Sequence, residues 1–215
     1  QDKDLTMYIN YNLGHPIMPK NTGDLILRDR MEFTLDSSGD LATVYGRIDL
    51  SAYCNVAQKT GLAVKEIFFH VREQDSTALD NTGIWDPVAD YQDANGNTSA
   101  LKLVATARAF ESLADVGIAS PDVLCIREYT STTSPSGAAA DDEGTSYWNT
   151  DTFYGPSDMH PAGYTLVSDL LIGVAVDNWE RNASDTLEID ILMIAEPVKV
   201  SQERVDALLT QAQDL

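Results

Sequence analysis

The stretch "LEIDILMI", Leu187–Ile194, alternates between apolar and acidic residues before it becomes wholly apolar. The residues on one face of an extended chain are all apolar: Leu187, Ile189, Ile191 and Met193. Glu188 and Asp190 fall on the other face. A period of two is typical of a β-strand with one buried side. The stretch therefore predicts a strand that lies over an apolar core.

The same period recurs along the chain. "LILRDRMEFTL", Leu25–Leu35, and Leu41–Leu50 flank the turn "SSGD", so we expect them to pair as a hairpin. Further strands are predicted at Leu5–Leu13, Leu62–Arg72, Leu101–Phe110, Asp122–Tyr129 and Tyr164–Val176. No helices alternate with these strands, which argues against a parallel sheet. The pattern predicts an all-β, antiparallel two-sheet sandwich or a barrel, with about eight strands.

We expect one domain over residues 1–200, followed by a helix at 201–215. Two long polar loops are predicted, at 73–99 and 130–163. These loops contain six aromatic residues: Trp85, Tyr91, Tyr147, Trp148, Phe153 and Tyr154. Disordered linkers are poor in aromatic residues, so the loops should fold against their own domain or a neighbouring subunit.

The predicted C-terminal helix is amphipathic, with Ser201 as its N-cap. Its apolar residues recur at helical spacing: Val205, Leu208, Leu209, Ala212 and Leu215. The stripe either lies at a seam between subunits or packs on its own sandwich. A helix that lies on a membrane usually carries several basic residues on its polar face, and this helix has only Arg204 there. Direct lipid binding is therefore not expected.

The chain is strongly acidic, with 34 Asp and Glu against 14 Lys and Arg and a formal net charge of −20. Its acids are scattered rather than gathered in a tail. Such a surface fits either a protein adapted to molar salt, where screening removes self-repulsion, or an extracellular protein in ordinary salt. Nucleic acid is not expected as a partner, because no basic stripe is present.

No set of residues predicts catalysis. His15, His70 and His160 are far apart in sequence, and the chain has no GxSxG, HExxH, phosphate-loop or GxGxxG pattern. The acids Asp141, Asp142 and Glu143 would be needed for a hydrolase reading, but they are typical of a solvated loop. We expect a protein without enzymatic activity.

Cys54 and Cys125 lie 71 positions apart, and they are interpreted as two buried thiols, with one disulfide as the alternative. No cofactor is expected. A calcium site remains open at Asp90, Asp93 and Asn95, although the spacing is not that of an EF-hand. Glycosylation sequons occur at Asn97 and Asn182.

The strands "MEFTL", "IFFHVR", "LIGVAV" and "LEIDILMI" together resemble the plan of a single jelly-roll viral capsid protein. With its acidity, the chain is most similar to the major capsid proteins of sphaerolipovirus-like viruses, which are icosahedral viruses of halophilic archaea with an internal membrane. The resemblance implies a virion location and pseudo-hexameric capsomers. It also implies homo- or hetero-oligomers with a related capsid protein, above a membrane contacted at most indirectly. It carries over no catalytic residue.

The interface candidates on this reading are the helix residues Val205, Leu208, Leu209 and Ala212 and the loop aromatics Trp85, Trp148 and Tyr154. The alternative reading is an extracellular carbohydrate-binding or adhesive β-sandwich module. That module would use the same three aromatic residues as a platform for a sugar.

Overall fold

The computed structural model describes residues 23–74, 98–134, 146–179, 182–203 and 206–207. Within these residues the chain forms nine strands, one 3-10 turn and one short helix. The strands are β1 Leu25–Thr34, β2 Leu41–Ile48, β3 Thr60–Glu73, β4 Thr98–Thr106, β5 Val123–Ser134, β6 Ser146–Tyr154, β7 Tyr164–Leu166, β8 Leu170–Asp177 and β9 Thr186–Lys199. The 3-10 turn is Leu113–Asp115 and the helix α1 is Pro156–Met159.

The strands form two antiparallel sheets packed as a sandwich. One sheet has the order β1-β9-β3-β7 and the other has the order β2-β8-β4-β5-β6. Apart from β6, this is the strand order of a jelly roll, in which two Greek keys interleave eight strands between two sheets. The predicted fold class is confirmed, and the ninth strand β6 extends the second sheet at one end.

The predicted hairpin between β1 and β2 is wrong. β1 pairs with β9 in one sheet and β2 pairs with β8 in the other, so the turn between them crosses the sandwich. The Asp36 carboxylate holds this turn by accepting the N–H groups of Ser38 at 2.7 Å and Asp40 at 2.9 Å. These bonds hold the pKa of Asp36 below its usual value. A turn signal shows where the chain reverses but not which strand becomes the partner.

The predicted loop at 130–163 is also wrong in part, because it contains the end of β5, all of β6 and α1. The predicted stripe Tyr164–Val176 is divided between β7 and β8, which belong to different sheets. The predicted loop at 73–99 begins where β3 ends, but residues 75–97 lie outside the described part of the chain. The strand predicted at Leu5–Leu13 lies outside it as well.

The main core lies between the two sheets and confirms the predicted inward faces. Its buried residues include Phe33, Ile67, Phe69, Val71, Leu187, Ile189, Ile191 and Met193. Burial of such a side chain contributes about 1.5–3 kcal/mol relative to leaving it in water. After β9, the described residues of the predicted C-terminal segment are helical at 202–203 and 206–207.

A second, smaller core covers the outer face of the five-stranded sheet. The chain between β4 and β5 folds back over this face and buries Val104, Leu113, Val116, Val123 and Ile126. Gly173 of β8 makes the contact close, since a Cβ there would lie 2.7 Å from Cε1 of Tyr45 and 2.9 Å from Cδ1 of Leu113.

The outer face of the four-stranded sheet is more open. Arg30 and Arg72 form ion pairs there with Asp190 at 2.6 Å and Glu188 at 2.5 Å. Beside these pairs Ile26 and Phe68 are about half exposed, at 52% and 47%.

Candidate assembly edge

Four strands end the two sheets, and three of them carry features that discourage pairing with another chain. β1 is charged along "RDRME" and the Asp29 carboxylate accepts the N–H of Arg30 at 2.8 Å. β7 is only three residues long. The register of β2 shifts between Leu41 and Val44. Charge, short length and bulges are the usual protections of edge strands.

β6 is the fourth terminal strand, and it lacks these protections. It pairs with β5 over nine consecutive positions, from Ile126↔Tyr154 to Ser134↔Ser146, without a register shift. Within the described ranges, no strand pairs with its other side. Alternate backbone N–H and C=O groups of such a strand point outward and can accept another strand.

Aromatic side chains lie along β6. Trp148 is 53% exposed, Phe153 42% and Tyr154 38%. Trp148 and Tyr154 are six positions apart, so they stand on the same side of the strand. Large apolar side chains this exposed, on an open edge, are typical of a surface that is covered by a partner.

The surface past the end of β6 is concave. A depression of about 480 Å³ is lined by Ile118, Phe153, Tyr154, Asp158 and Met159. Ile118 is 63% exposed. Gly155 follows the strand as the N-cap of α1, and its N–H donates to Asp158 Oδ2 at 2.9 Å.

The single charged residue of β6, Asp151, is paired within the subunit. Arg127 of β5 donates to both of its carboxylate oxygens, from Nε at 3.1 Å and from Nη2 at 2.8 Å. This hydrogen bonding raises the pKa of Arg127. Arg127 also donates from Nη1 to the carbonyl of Phe69 at 2.9 Å, which ties the two sheets together. Asp151 therefore stabilises the sandwich and leaves the open side of β6 without an unpaired charge.

The histidines that the structure describes have no catalytic arrangement. His160 lies with Nε2 2.6 Å from the carbonyl of Val123 and its ring 4.7 Å from that of Tyr164. Its sequence neighbour Asp158 instead binds the backbone of Gly155. His70 is exposed on the outer face of β3. His160 thus holds α1 against β5, which is a structural role.

Both cysteines are free thiols, so the disulfide alternative is wrong. Burial raises the pKa of Cys54 to about 11 and that of Cys125 to about 12. Each thiol stays protonated near neutral pH and is a poor nucleophile.

Asn182 is buried at 6% exposure, and its side-chain amide donates to Asp185 at 3.1 Å. Its sequon is therefore closed to a glycan in the folded chain. Asn97, the calcium candidates Asp90, Asp93 and Asn95, and the acids Asp141, Asp142 and Glu143 lie outside the described residues. The described residues contain no group of three His, Cys, Asp or Glu that could hold a metal ion. They also contain no helix long and apolar enough to cross a membrane.

Of the predicted interface residues, the structure places Trp148 and Tyr154 together on β6. Trp85, Val205, Leu208, Leu209 and Ala212 lie outside the residues whose side chains it describes. Sequence reasoning missed Phe153 and Ile118 as surface residues. The sequence could have indicated a strand end at Phe153, because "TFY" next to a glycine is typical of one. No pattern in "VGIAS" indicates that Ile118 is exposed.

No protein-family model and no curated protein matches this chain. Among solved structures, a chain of Desmodium yellow mottle tymovirus is 11% identical, with a TM-score of 0.27 over 94% of this chain and 98% of that one. The BFDV capsid protein in a decamer is 10% identical, with a TM-score of 0.29 over 81% and 96%.

A third similar structure is a chain of the Merkel cell polyomavirus virus-like particle, which is 8% identical, with a TM-score of 0.31 over 94% of this chain and 82% of that one. TM-scores of this size do not show that two chains share one topology. The jelly-roll order described above therefore comes from the strand pairing within this chain.

Proposed function

We propose that this chain is a structural subunit of a virus capsid that associates with copies of itself through the β6 edge. One observation carries the proposal: β6 is a nine-residue terminal strand that is regular, aromatic and free of unpaired charge, in a chain of net charge −20. A subunit of a closed shell covers such an edge with its neighbour, whereas a soluble monomer must protect it.

The jelly roll agrees with this role but does not decide it, because lectins and cupins share the architecture. What favours a structural role is the arrangement of the site. The described His160 and the two thiols take part in packing, the largest exposed side chains of β6 are aromatic, and its one ionisable residue, Asp151, is paired with Arg127. The proposed role involves no catalysis.

The finer part of the proposal is a capsid that assembles in concentrated salt, as in an internal-membrane virus of a halophilic archaeon, with a related capsid protein as second partner. The support is the scattered acidity of the chain. Subunits that each carry −20 repel one another in dilute salt. At about 1 M ionic strength the screening length falls to about 3 Å, and the repulsion between subunits is largely removed.

The test is to measure the size of the purified protein by light scattering at about 0.1 M and about 1 M salt. We expect small species in dilute salt and large, uniform, symmetric particles in concentrated salt, visible by electron microscopy. A monomer that is indifferent to salt contradicts the proposal. If that monomer also binds glycans, and loses binding on Trp148→Ala, it is the carbohydrate-binding module.

The C-terminal segment 201–215 is part of the same proposal. We place its apolar residues Val205, Leu208, Leu209 and Ala212 at the seam between subunits. Val200 is buried, and its N–H donates to the carbonyl of Lys59 at 2.9 Å, so a chain cut after Val200 keeps this contact with the sandwich. We expect this shortened chain to fold and to lose assembly. Unchanged particles would place the segment on its own sandwich instead.

A further inference from the structure

We propose that the N-terminal stretch Leu5–Leu13 of one copy adds as a strand to the open side of β6 in a second copy. This inference rests on the proposed function, because it names the partner of the β6 edge. The stretch itself lies outside the described residues, and β6 is the described feature to which it fits.

Length and backbone chemistry are the first match. β6 presents a nine-residue edge on which no strand of the described ranges pairs, and Leu5–Leu13, "LTMYINYNL", is nine residues without glycine or proline. Each strand spans about 30 Å when extended. A complete added strand would satisfy the outward N–H and C=O groups along the whole of β6.

Side-chain pattern is the second match. The stretch has one apolar face, formed by Leu5, Met7, Ile9, Tyr11 and Leu13. It has a second face that is mostly polar, formed by Thr6, Tyr8, Asn10 and Asn12. We place the apolar face on the side of the sheet where Trp148 and Tyr154 are exposed. Aromatic and aliphatic neighbours across strands stabilise a pair by about 0.2–1 kcal/mol each.

Charge is the third match. Leu5–Leu13 contains no charged residue, and the one charge of β6 is neutralised by Arg127. In a chain of net charge −20, a contact between copies needs two surfaces that do not add to the repulsion. The C-terminal segment fits the edge less well, because it carries Glu203, Asp206 and Asp214 against Arg204.

Topology favours a second copy over the same chain. β1 contacts β2, which ends the five-stranded sheet at the side opposite β6. The chain from Leu13 to β1 would have to pass four strand spacings and the depth of the sandwich, about 19 Å plus about 10 Å, around a curved surface. Residues 14–24 span at most about 40 Å, so such a path would need a mostly extended linker.

The first experiment compares two charge-matched variants of the full chain in the salt at which it assembles. Met7→Lys with Ile9→Lys places two charges on the apolar face, and Thr6→Lys with Asn10→Lys places the same two charges on the other face. We expect the first variant to weaken association at least tenfold and the second to assemble like the parent, measured by light scattering. Equal behaviour of the two variants overturns the inference.

The second experiment uses cysteines at the two strand centres, Ile9→Cys and Thr150→Cys. Both positions lie on the same proposed side of the sheet, and the native thiols are protonated and at least half buried. On mixing the two single variants under mild oxidation, we expect a disulfide-linked dimer that contains one chain of each.

A crosslink that forms only when both cysteines are in one chain shows docking within the subunit and overturns the inference. If the parent assembles but neither experiment responds, the inference fails and the proposed function stands. If the parent stays monomeric at every salt concentration, both fail.

Discussion

β1 and β6 are both terminal strands of a sheet, but they differ in charge and in what lies along their open side. β1 carries Arg28, Asp29, Arg30 and Glu32 within ten residues. Asp29 also occupies a backbone N–H of its own strand. β6 carries one acid, turned toward its neighbour Arg127, and three exposed aromatic residues. The same architecture thus contains one edge strand rich in charge and another, β6, whose outer side pairs with no strand in the described part of the chain.

The largest effect should come from placing a charge on the open edge. We expect Trp148→Lys to weaken self-association by about 30-fold or more, because a central tryptophan of an interface contributes about 2 kcal/mol or more. Folding should be unchanged, since Trp148 is 53% exposed. Analytical ultracentrifugation in concentrated salt measures the effect.

The matched control is Ile26→Lys, because Ile26 is 52% exposed on the outer face of the four-stranded sheet. It adds the same charge at a similar exposure away from β6. If this control weakens association as much as Trp148→Lys does, β6 is no more important for association than β1 is.

A smaller effect is expected from Arg127→Ala, which removes the pairing of Asp151 and the bond to the Phe69 carbonyl. We expect a loss of about 1–2 kcal/mol in the free energy of unfolding, at the low end for bonds to charged groups because the pair is partly exposed. Association should weaken too, since Asp151 becomes an unpaired charge on β6. Urea unfolding and ultracentrifugation measure the two effects separately.

The double variant Arg127→Ala with Asp151→Ala sharpens this prediction. It should recover part of the lost association, because the unpaired acid is gone. Recovery of stability without recovery of association would mean that charge on β6 does not govern assembly.

The effect of Asp29→Val should be smaller still and opposite in sign. Removing this carboxylate frees the N–H of Arg30 and leaves one charged residue fewer on the β1 edge. The change in stability should stay within about 0.5 kcal/mol, as for most surface substitutions. Weak additional association should appear in light scattering. Asp29→Asn keeps an acceptor oxygen for the N–H of Arg30 and should therefore show less additional association. Equal association of the two variants would contradict the inference that Asp29 protects the β1 edge.

The smallest effect concerns the turn that leads from β1 to β2. The pKa of Asp36 is lowered by the N–H groups of Asp40 and Ser38, so its carboxylate stabilises the fold above the pKa of the unfolded chain. This contribution is lost as pH falls through the folded pKa, below about pH 4. We expect Asp36→Asn to lose less stability on acidification than the parent, measured by urea unfolding along a pH series. If the free energy of unfolding fell equally with pH in Asp36→Asn and in the parent, the prediction would be contradicted.

Much of the fold could be predicted because burial leaves a period in the sequence. Leu187–Met193 alternates since β9 lies at the centre of a sheet with one face on the core. β6 was missed because residues 148–154 are exposed on both faces except at Thr152, so they show no such period. Trp148 and Tyr154 were predicted at an interface as aromatic residues of a loop, and their strand was not predicted.

The sequence by itself determined the class of the fold, the inward residues of most strands and the strong acidity of the chain. Only the tertiary structure decided which strands pair, since β1 joins β9 across about 160 positions rather than β2 across the turn. It also decided which edge stays open. The physical reason is that periodicity records burial, which is local, whereas pairing and edge exposure depend on how the two sheets close on each other.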